Sequence, residues 1–267
     1  MNRILPFMIL FVNMAFGQSE LISNTADRVD TSMYQGIRNR IKDQTLFIKN
    51  NPSGENYFKR AELKLKLENF VDAIADFDTA ARILPNEPAI YYKRGGAKER
   101  IGNLKGALDD FTKVIILLPS FEWGFHDRAL IHIKLKNFND AENYLLQSLK
   151  LKPDWDVAIF TQGLLFEEKG EYENAITYYS KSLKFNPNNF MAFNNIGHIY
   201  FLQKKYDLAI NKYSEAIILN LKYYNAYRNR ADAKIAKNDY DGACQDLNIA
   251  SGLGDKKAKK YFDGYCK

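Results

Sequence analysis

"GENYFKRAELKLKLENFVDAIADFDTAARILPNE", residues 54–87, carries the pattern on which most of the chain is built. Its apolar and small residues recur at positions 4 and 8 of the stretch, then at 17, 20, 21, 24, 27 and 28. Spacings of three and four mark one face of a helix, not the alternation of a strand. Polar residues near positions 14–16 part the two runs, so the stretch reads as two helices. Pro85 follows the second run, where it ends a helix and opens a loop.

Shifted by 34 residues, the pattern returns. Pro85, Pro119, Pro153 and Pro187 keep that interval, and Ala73, Ala107, Ala141, Ala175, Ala209 and Ala243 hold one register without slippage. The units begin at Gly54, Pro88, Glu122, Asp156, Phe190 and Tyr224. Position 8 is always small (Ala61, Gly95, Ala129, Gly163, Gly197, Ala231), and position 24 always large (Phe77, Phe111, Leu145, Tyr179, Tyr213, Leu247). Small residues at 8 and 20 let two antiparallel helices approach, and large ones at 4, 17 and 24 fill the space around the crossing. The proline slot departs from the pattern twice, at Leu221 and Asp255, and the sixth unit breaks instead at Gly252 and Gly254.

These residues resemble the tetratricopeptide repeat, a helix pair of 34 residues, from Gly54 to about Lys257. The resemblance implies an all-α fold: a right-handed superhelical solenoid of six antiparallel helix pairs, 54–87, 88–121, 122–155, 156–189, 190–223 and 224–257. Stacked units need polar outer faces at both ends. Residues 30–53 are expected to supply an N-terminal capping helix on the stripe Tyr34, Ile37, Ile41 and Ile48, with Asp30, Thr31 and Ser32 as capping candidates. Residues 255–267 are expected to form a C-terminal capping helix that overlaps the end of the sixth repeat.

The chain opens with Arg3, an apolar run from Ile4 to Phe16, and Ala15-Phe16-Gly17. That layout predicts a cleavable secretory signal over residues 1–17 and a loose tail over 18–29. The run is too short for a membrane span of about 20 residues. No cysteine follows it to take a lipid, and no later segment is apolar enough to span. The mature chain is therefore expected to be soluble and exported, in the periplasm or secreted. A net charge of +6 over 267 residues is mild and spread out, which argues against nucleic acid as a partner. The densest basic group, Lys256, Lys257, Lys259 and Lys260, reads as a solvated helix face.

Chemistry is hard to find. His126, His132 and His198 form no i, i+4 pair, and there is no CxxC, Gly-rich phosphate loop or GxSxG elbow. No catalytic residue, metal or cofactor is expected. Glu167, Glu168 and Glu171 read as solvated surface at a helix turn. Position 7 is arginine in four units (Arg60, Arg94, Arg128, Arg230), and position 23 is aspartate in three of the same ones (Asp76, Asp110, Asp246). The two vary together, which predicts ion pairs between the helices of one unit. Arg128 faces Tyr144 instead, and either pairs elsewhere or is free for a ligand.

In an array of this family the first helices of successive units line a concave surface, and the resemblance places positions 2, 5, 6, 9, 12 and 13 there. The candidate groove residues are Tyr92, Lys93, Trp123, His126, Phe160, Asn194, Asn195, His198, Arg228 and Asn229. Aromatic rings beside amides and arginine suit an extended peptide, the rings burying apolar area and the amides bonding backbone. The amides point to ligand contact because a core rarely takes asparagine. For Trp123 and Phe160, packing between neighbouring repeats stays open beside ligand contact. The expected function is a non-catalytic scaffold of the cell envelope that holds another protein or a peptide. A glycan or cell-wall binder is the alternative and an enzyme the remote one. Some relatives clamp the carboxyl tails of heat-shock chaperones with lysines and asparagines. The matching places here hold Phe160, Leu164, Asn195, Asn225 and Asn229, and only Asn195 fits, so that clamp is not expected.

The only two cysteines lie near the end. Cys244 takes position 21 of the sixth unit, facing the next helix. If residues 255–265 fold back, it lies opposite residue 263, and Cys266 is about one helical turn (~5 Å) further on. With an oxidising destination, a Cys244–Cys266 disulfide is expected.

Overall fold

A computed structural model describes residues 31–266, so the proposed signal and tail, and Asp30, lie outside the described residues. Fourteen helices follow one another among the described residues. Helix α1 (Thr31–Asn50) precedes six pairs: α2 (Gly54–Lys66) with α3 (Phe70–Ile83), α4 (Pro88–Arg100) with α5 (Leu104–Leu117), and α6 (Glu122–Lys134) with α7 (Phe138–Leu151). The series continues with α8 (Asp156–Glu168) and α9 (Tyr172–Phe185), α10 (Phe190–Leu202) and α11 (Tyr206–Leu219), then α12 (Tyr224–Ala236) and α13 (Tyr240–Gly252). Helix α14 (Lys256–Tyr265) closes the stack. Contacts run from each helix to the next, and also from α6 to α8 and from α10 to α12, so the core is a row of small layers.

The crossing inside each pair depends on the small residue at position 8. A Cβ on Gly95 would sit 2.9 Å from the Phe111 ring, one on Gly163 2.4 Å from Tyr179, and one on Gly197 2.8 Å from Tyr213. Glycine stands against the rings of Phe111, Tyr179 and Tyr213, Ala129 and Ala231 go with the smaller Leu145 and Leu247, and the first unit combines Ala61 with Phe77. The six alanines of position 20 are fully buried or nearly so.

Each pair turns on one left-handed residue at position 15: Glu68, Gly102, Lys136, Gly170, Lys204 and Asn238, with φ between 55° and 78°. Only two are glycine, so the turn is imposed by packing on either side. Three following residues then cap the second helix, as Asn69, Asn103 and Asp239 accept from backbone N–H groups three residues on.

The ends are closed differently. Helix α1 lays Ile37 and Ile48 into the stack, with Tyr34 and Ile41 half-buried. At the other end, Asp255 stands where a proline would and caps α14, accepting from the N–H groups of Lys257 and Ala258. The same carboxylate pairs with Arg228, so this departure from the pattern docks the last helix. Cys244 and Cys266 are joined, with Cα atoms 5.6 Å apart. The four lysines of α14 are exposed, while Ala258 is buried.

Candidate binding groove

The arginines of position 7 are structural, and they tie more than one unit. Arg60 donates to Asp76 through Nε and Nη2 (2.8 and 2.5 Å), and Arg94–Asp110 and Arg230–Asp246 repeat the fork. A lysine one turn on, Lys64, Lys98 or Lys234, meets the same carboxylate at 2.7–2.8 Å. The remaining Nη1 reaches back to the preceding helix: to Thr45 from Arg60, Asp78 from Arg94 and Ser214 from Arg230. Each arginine thus joins three helices. In the third unit Tyr144 and His132 replace the carboxylate and the lysine. Arg128 stacks on Tyr144 at 4.5 Å and donates to Thr112, its Nε without a partner. His132 stacks on the same ring at 5.3 Å, and burial lowers its pKa.

With these charges committed elsewhere, the groove presents two unlike halves. In the first, α2, α4 and α6 enclose a cavity of about 370 Å³ lined by Leu65, Phe70, Tyr92, Gly96, Trp123 and Leu130. Four of the predicted residues, Tyr92, Lys93, Trp123 and His126, converge on it. Trp123 packs edge-on to Trp155 at 4.5 Å, and Trp155, at the start of α8, is only 4% exposed. His126, 3% exposed, forms the floor and is hydrogen-bonded to Asp127 (2.8 Å) and Thr161 (3.0 Å). Burial, with Asp127 close by, pushes the Tyr92 phenol well above its ordinary pKa. On the rim, Glu99 is paired with Lys134 at 2.5 Å. Lys93 meets Glu62 only at 3.5 Å, and Arg100 lies over the Phe70 ring at 5.2 Å.

The second half is closed by a polar chain through three repeats. Asn229 donates to Asn194 (3.0 Å), Asn194 to Asn195 (3.3 Å), and Asn195 to the Tyr179 hydroxyl (3.3 Å). That hydroxyl donates to Glu167 (2.5 Å), whose other oxygen lies 3.1 Å from His198 Nδ1. Asn194 is 1% exposed, and Asn195 and Asn229 are buried as well. The structure therefore places these amides against one another, inside, and not facing an open groove. Glu167 likewise departs from the expectation of solvated surface: it is the hub of the chain. Phe160 packs on Tyr179 at 5.2 Å, half-buried, and Arg228 is held by Asp255 and by Asn225 at 2.8 Å. Asp232 makes no ion pair among the described residues. Its side chain is exposed.

The repeat also decides what the chain resembles. Family profiles described as TPR or tetratricopeptide repeats match residues 58–120, 125–154, 163–204 and 192–223. The chain is a tetratricopeptide repeat protein.

Solved structures share its fold. A tetratricopeptide repeat protein from Parabacteroides merdae is 18% identical, with a TM-score of 0.75 over 93% of this chain and 98% of that one. The Cut9–Hcn1 hetero-tetramer of the APC/C is 16% identical, with a TM-score of 0.68 over 93% of this chain and 51% of its own. YrrB, described as a TPR protein with an unusual peptide-binding site, is 22% identical, with a TM-score of 0.51 over 68% of this chain and 95% of its own. No curated protein matches the chain in sequence. Among the described residues of this TPR protein, no three His, Cys, Asp or Glu side chains converge to hold a metal ion. No helix there is long and apolar enough to cross a membrane.

Gly96, which lines the cavity, is not among the groove residues named from the sequence. Gly96 had one signal: it is the only glycine at position 9 among the six repeats.

Proposed function

We propose that this TPR protein is an exported, non-catalytic scaffold whose concave groove holds a segment of another protein. The observation that carries this reading is the apolar cavity between Tyr92 and Trp123, open at the concave face and framed by charged side chains. An extended segment can bury apolar side chains there while its backbone stays near polar groups. The described binding of a peptide by YrrB, a protein of like fold, supports the same use of the groove. Histidines and carboxylates of the groove are engaged with each other, His126 with Asp127 and His198 with Glu167, which favours a structural use over acid–base chemistry. The glycan alternative loses support because Asn194, Asn195 and Asn229 spend their amides on one another.

Export is supported by the apolar run from Ile4 to Phe16, read from sequence, and by the cysteine pair, which suits an oxidising compartment. A photoreactive residue replacing Phe160 is expected to capture a protein in intact cells. One replacing Ile116, 68% exposed on the outer face, is expected to capture none. Capture from Ile116 alone would refute groove binding. Recovery of the chain in the cytoplasm with two reactive thiols would refute export.

A further inference from the structure

Helix α14 has ten residues, a length at which an isolated helix is marginal in water. Its sequence makes matters worse. Lys256 is followed by Lys260 one turn on, and Lys257 by the same lysine three residues on, spacings at which like charges repel. One exposed pair, Lys259–Asp263 at 3.2 Å, offsets them. Among the described residues of α14, Ala258 alone is a fully buried apolar one, and Phe262 is half-buried.

The helix is held at its two ends. Cys266, its C-cap, is bonded to Cys244 in α13, and Asp255, its N-cap, is fixed by a carboxylate with two tasks. Oδ1 of Asp255 accepts from the N–H groups of Lys257 and Ala258, while Oδ2 accepts from Arg228. Arg228 stands at position 5 of the last repeat, on the concave face, with its side chain only 14% exposed. One short helix therefore joins the disulfide to the groove.

We propose that the Cys244–Cys266 bond is a redox latch, whose reduction releases α14 and sets Arg228 free in the groove. Neither cysteine is fully buried. A dithiol reductant opens the bond by exchange: one thiolate attacks a sulfur and displaces the other cysteine as a thiolate, and the second thiol then displaces the first. The reductant leaves as a disulfide, and the two electrons it gives up stay on the cysteine sulfurs. Untied, α14 has too little buried surface and too much like charge to stay helical, and Gly254, at φ 96°, is the joint about which it leaves. The N–H groups that fix the Asp255 carboxylate go with it, so Arg228 keeps Asn225 and loses its buried anion. The latch adds regulation to the groove reading above, but release of α14 is read on the protein alone.

Amide hydrogen exchange of the oxidised protein, and of the same protein in dithiothreitol, tests the release. Reduction is expected to speed exchange in α14 by about tenfold or more and that in α8 to α11 by less than about twofold, and reoxidation to reverse both. Phenylglyoxal labelling then reads Arg228 in Cys244→Ser with Cys266→Ser, which carries no thiol to compete for the reagent. Arg228 should label about tenfold faster than in the oxidised protein, while Arg94, forked on Asp110, should not change. If the double variant does not fold, the labelling is read on native protein reduced and blocked with iodoacetamide. Unchanged exchange in α14 on reduction overturns the latch, and so does a loss of protection that spreads back to α8. Unchanged labelling of Arg228 overturns the link to the groove. If the latch opens as expected and a photoreactive residue at 160 captures nothing, the groove reading fails and the latch stands.

Discussion

Lys136 shows how far a single residue departs from its own preference here. With φ at 59° it sits in the left-handed region, which disfavours any side chain with a Cβ. Glycine already fills the equivalent places at Gly102 and Gly170. Lys136→Gly is therefore expected to stabilise the protein by about 1 kcal/mol, read as a higher urea midpoint. The buried carboxylates argue the opposite way. Asp110, 4% exposed in its side chain, receives both Arg94 and Lys98. Asp110→Ala leaves Lys98 without its carboxylate and Arg94 with Asp78 alone, and should cost about 3–5 kcal/mol by the same measurement. His132, 7% exposed, adds a pH dependence. Burial outweighs the opposing pull of Asp140 and, with Arg128 nearby, lowers its pKa below the unfolded value of 6.5. The unfolded chain thus takes up a proton more readily than the folded one as the pH falls below that value. Stability is expected to drop between pH 7 and pH 5, and His132→Gln should flatten that slope. The pairing of arginine with aspartate was legible because both positions vary together within one chain. The third arm of each arginine was not, since its acceptors lie on a preceding helix and vary in chemistry: Thr45, Asp78, Ser214. The amides misled for a related reason. A buried asparagine is costly only without partners, and Asn194 finds one in Asn229, 35 residues away.

At the scale of the helix, two glycines make opposite demands. Gly163 meets the Tyr179 ring, and Gly163→Ala should overpack the crossing of α8 with α9 by about 1–3 kcal/mol. Gly96 meets nothing, and Gly96→Ala should gain up to about 1 kcal/mol from helix propensity alone. Thermal denaturation of the two variants side by side is expected to move the midpoints in opposite directions. The helix pairs themselves were plain in the sequence, because periodicity, alanine register and proline spacing agree. Their use was less plain. Position 9 says which residues face the groove, but not that the neighbours of Gly96 leave a hole there. That depends on how Trp123 leans against Trp155, a contact between adjacent repeats that no single repeat encodes.

Across the whole molecule, stability is a sum over neighbouring layers, not the property of one core. The Cys244–Cys266 bond spans 22 residues. A loop of that size adds about 3 kcal/mol on the chain-entropy view. In a stack this gain falls on the last layers, where Ala243, Leu247 and Ala258 pack together. Cys244→Ser with Cys266→Ser should accelerate amide hydrogen exchange in α13 and α14 while leaving α4 to α7 nearly unchanged. Uniform acceleration along the chain would instead mean that all repeats open together. The cysteine pair could be placed from the register of the sixth repeat, whereas the docking of α14 through Asp255 and Arg228 had been visible only as a missing proline.

The two ends of the stack are fastened by different means, one by a covalent bond and an ion pair, the other by the packing of α1. That gives the array a direction of wear. A protease or a steady pull would open it from α1 inward. The cavity beside Gly96 is built from the first three repeats, so it would be lost early, while the amide-linked repeats beyond it stayed folded.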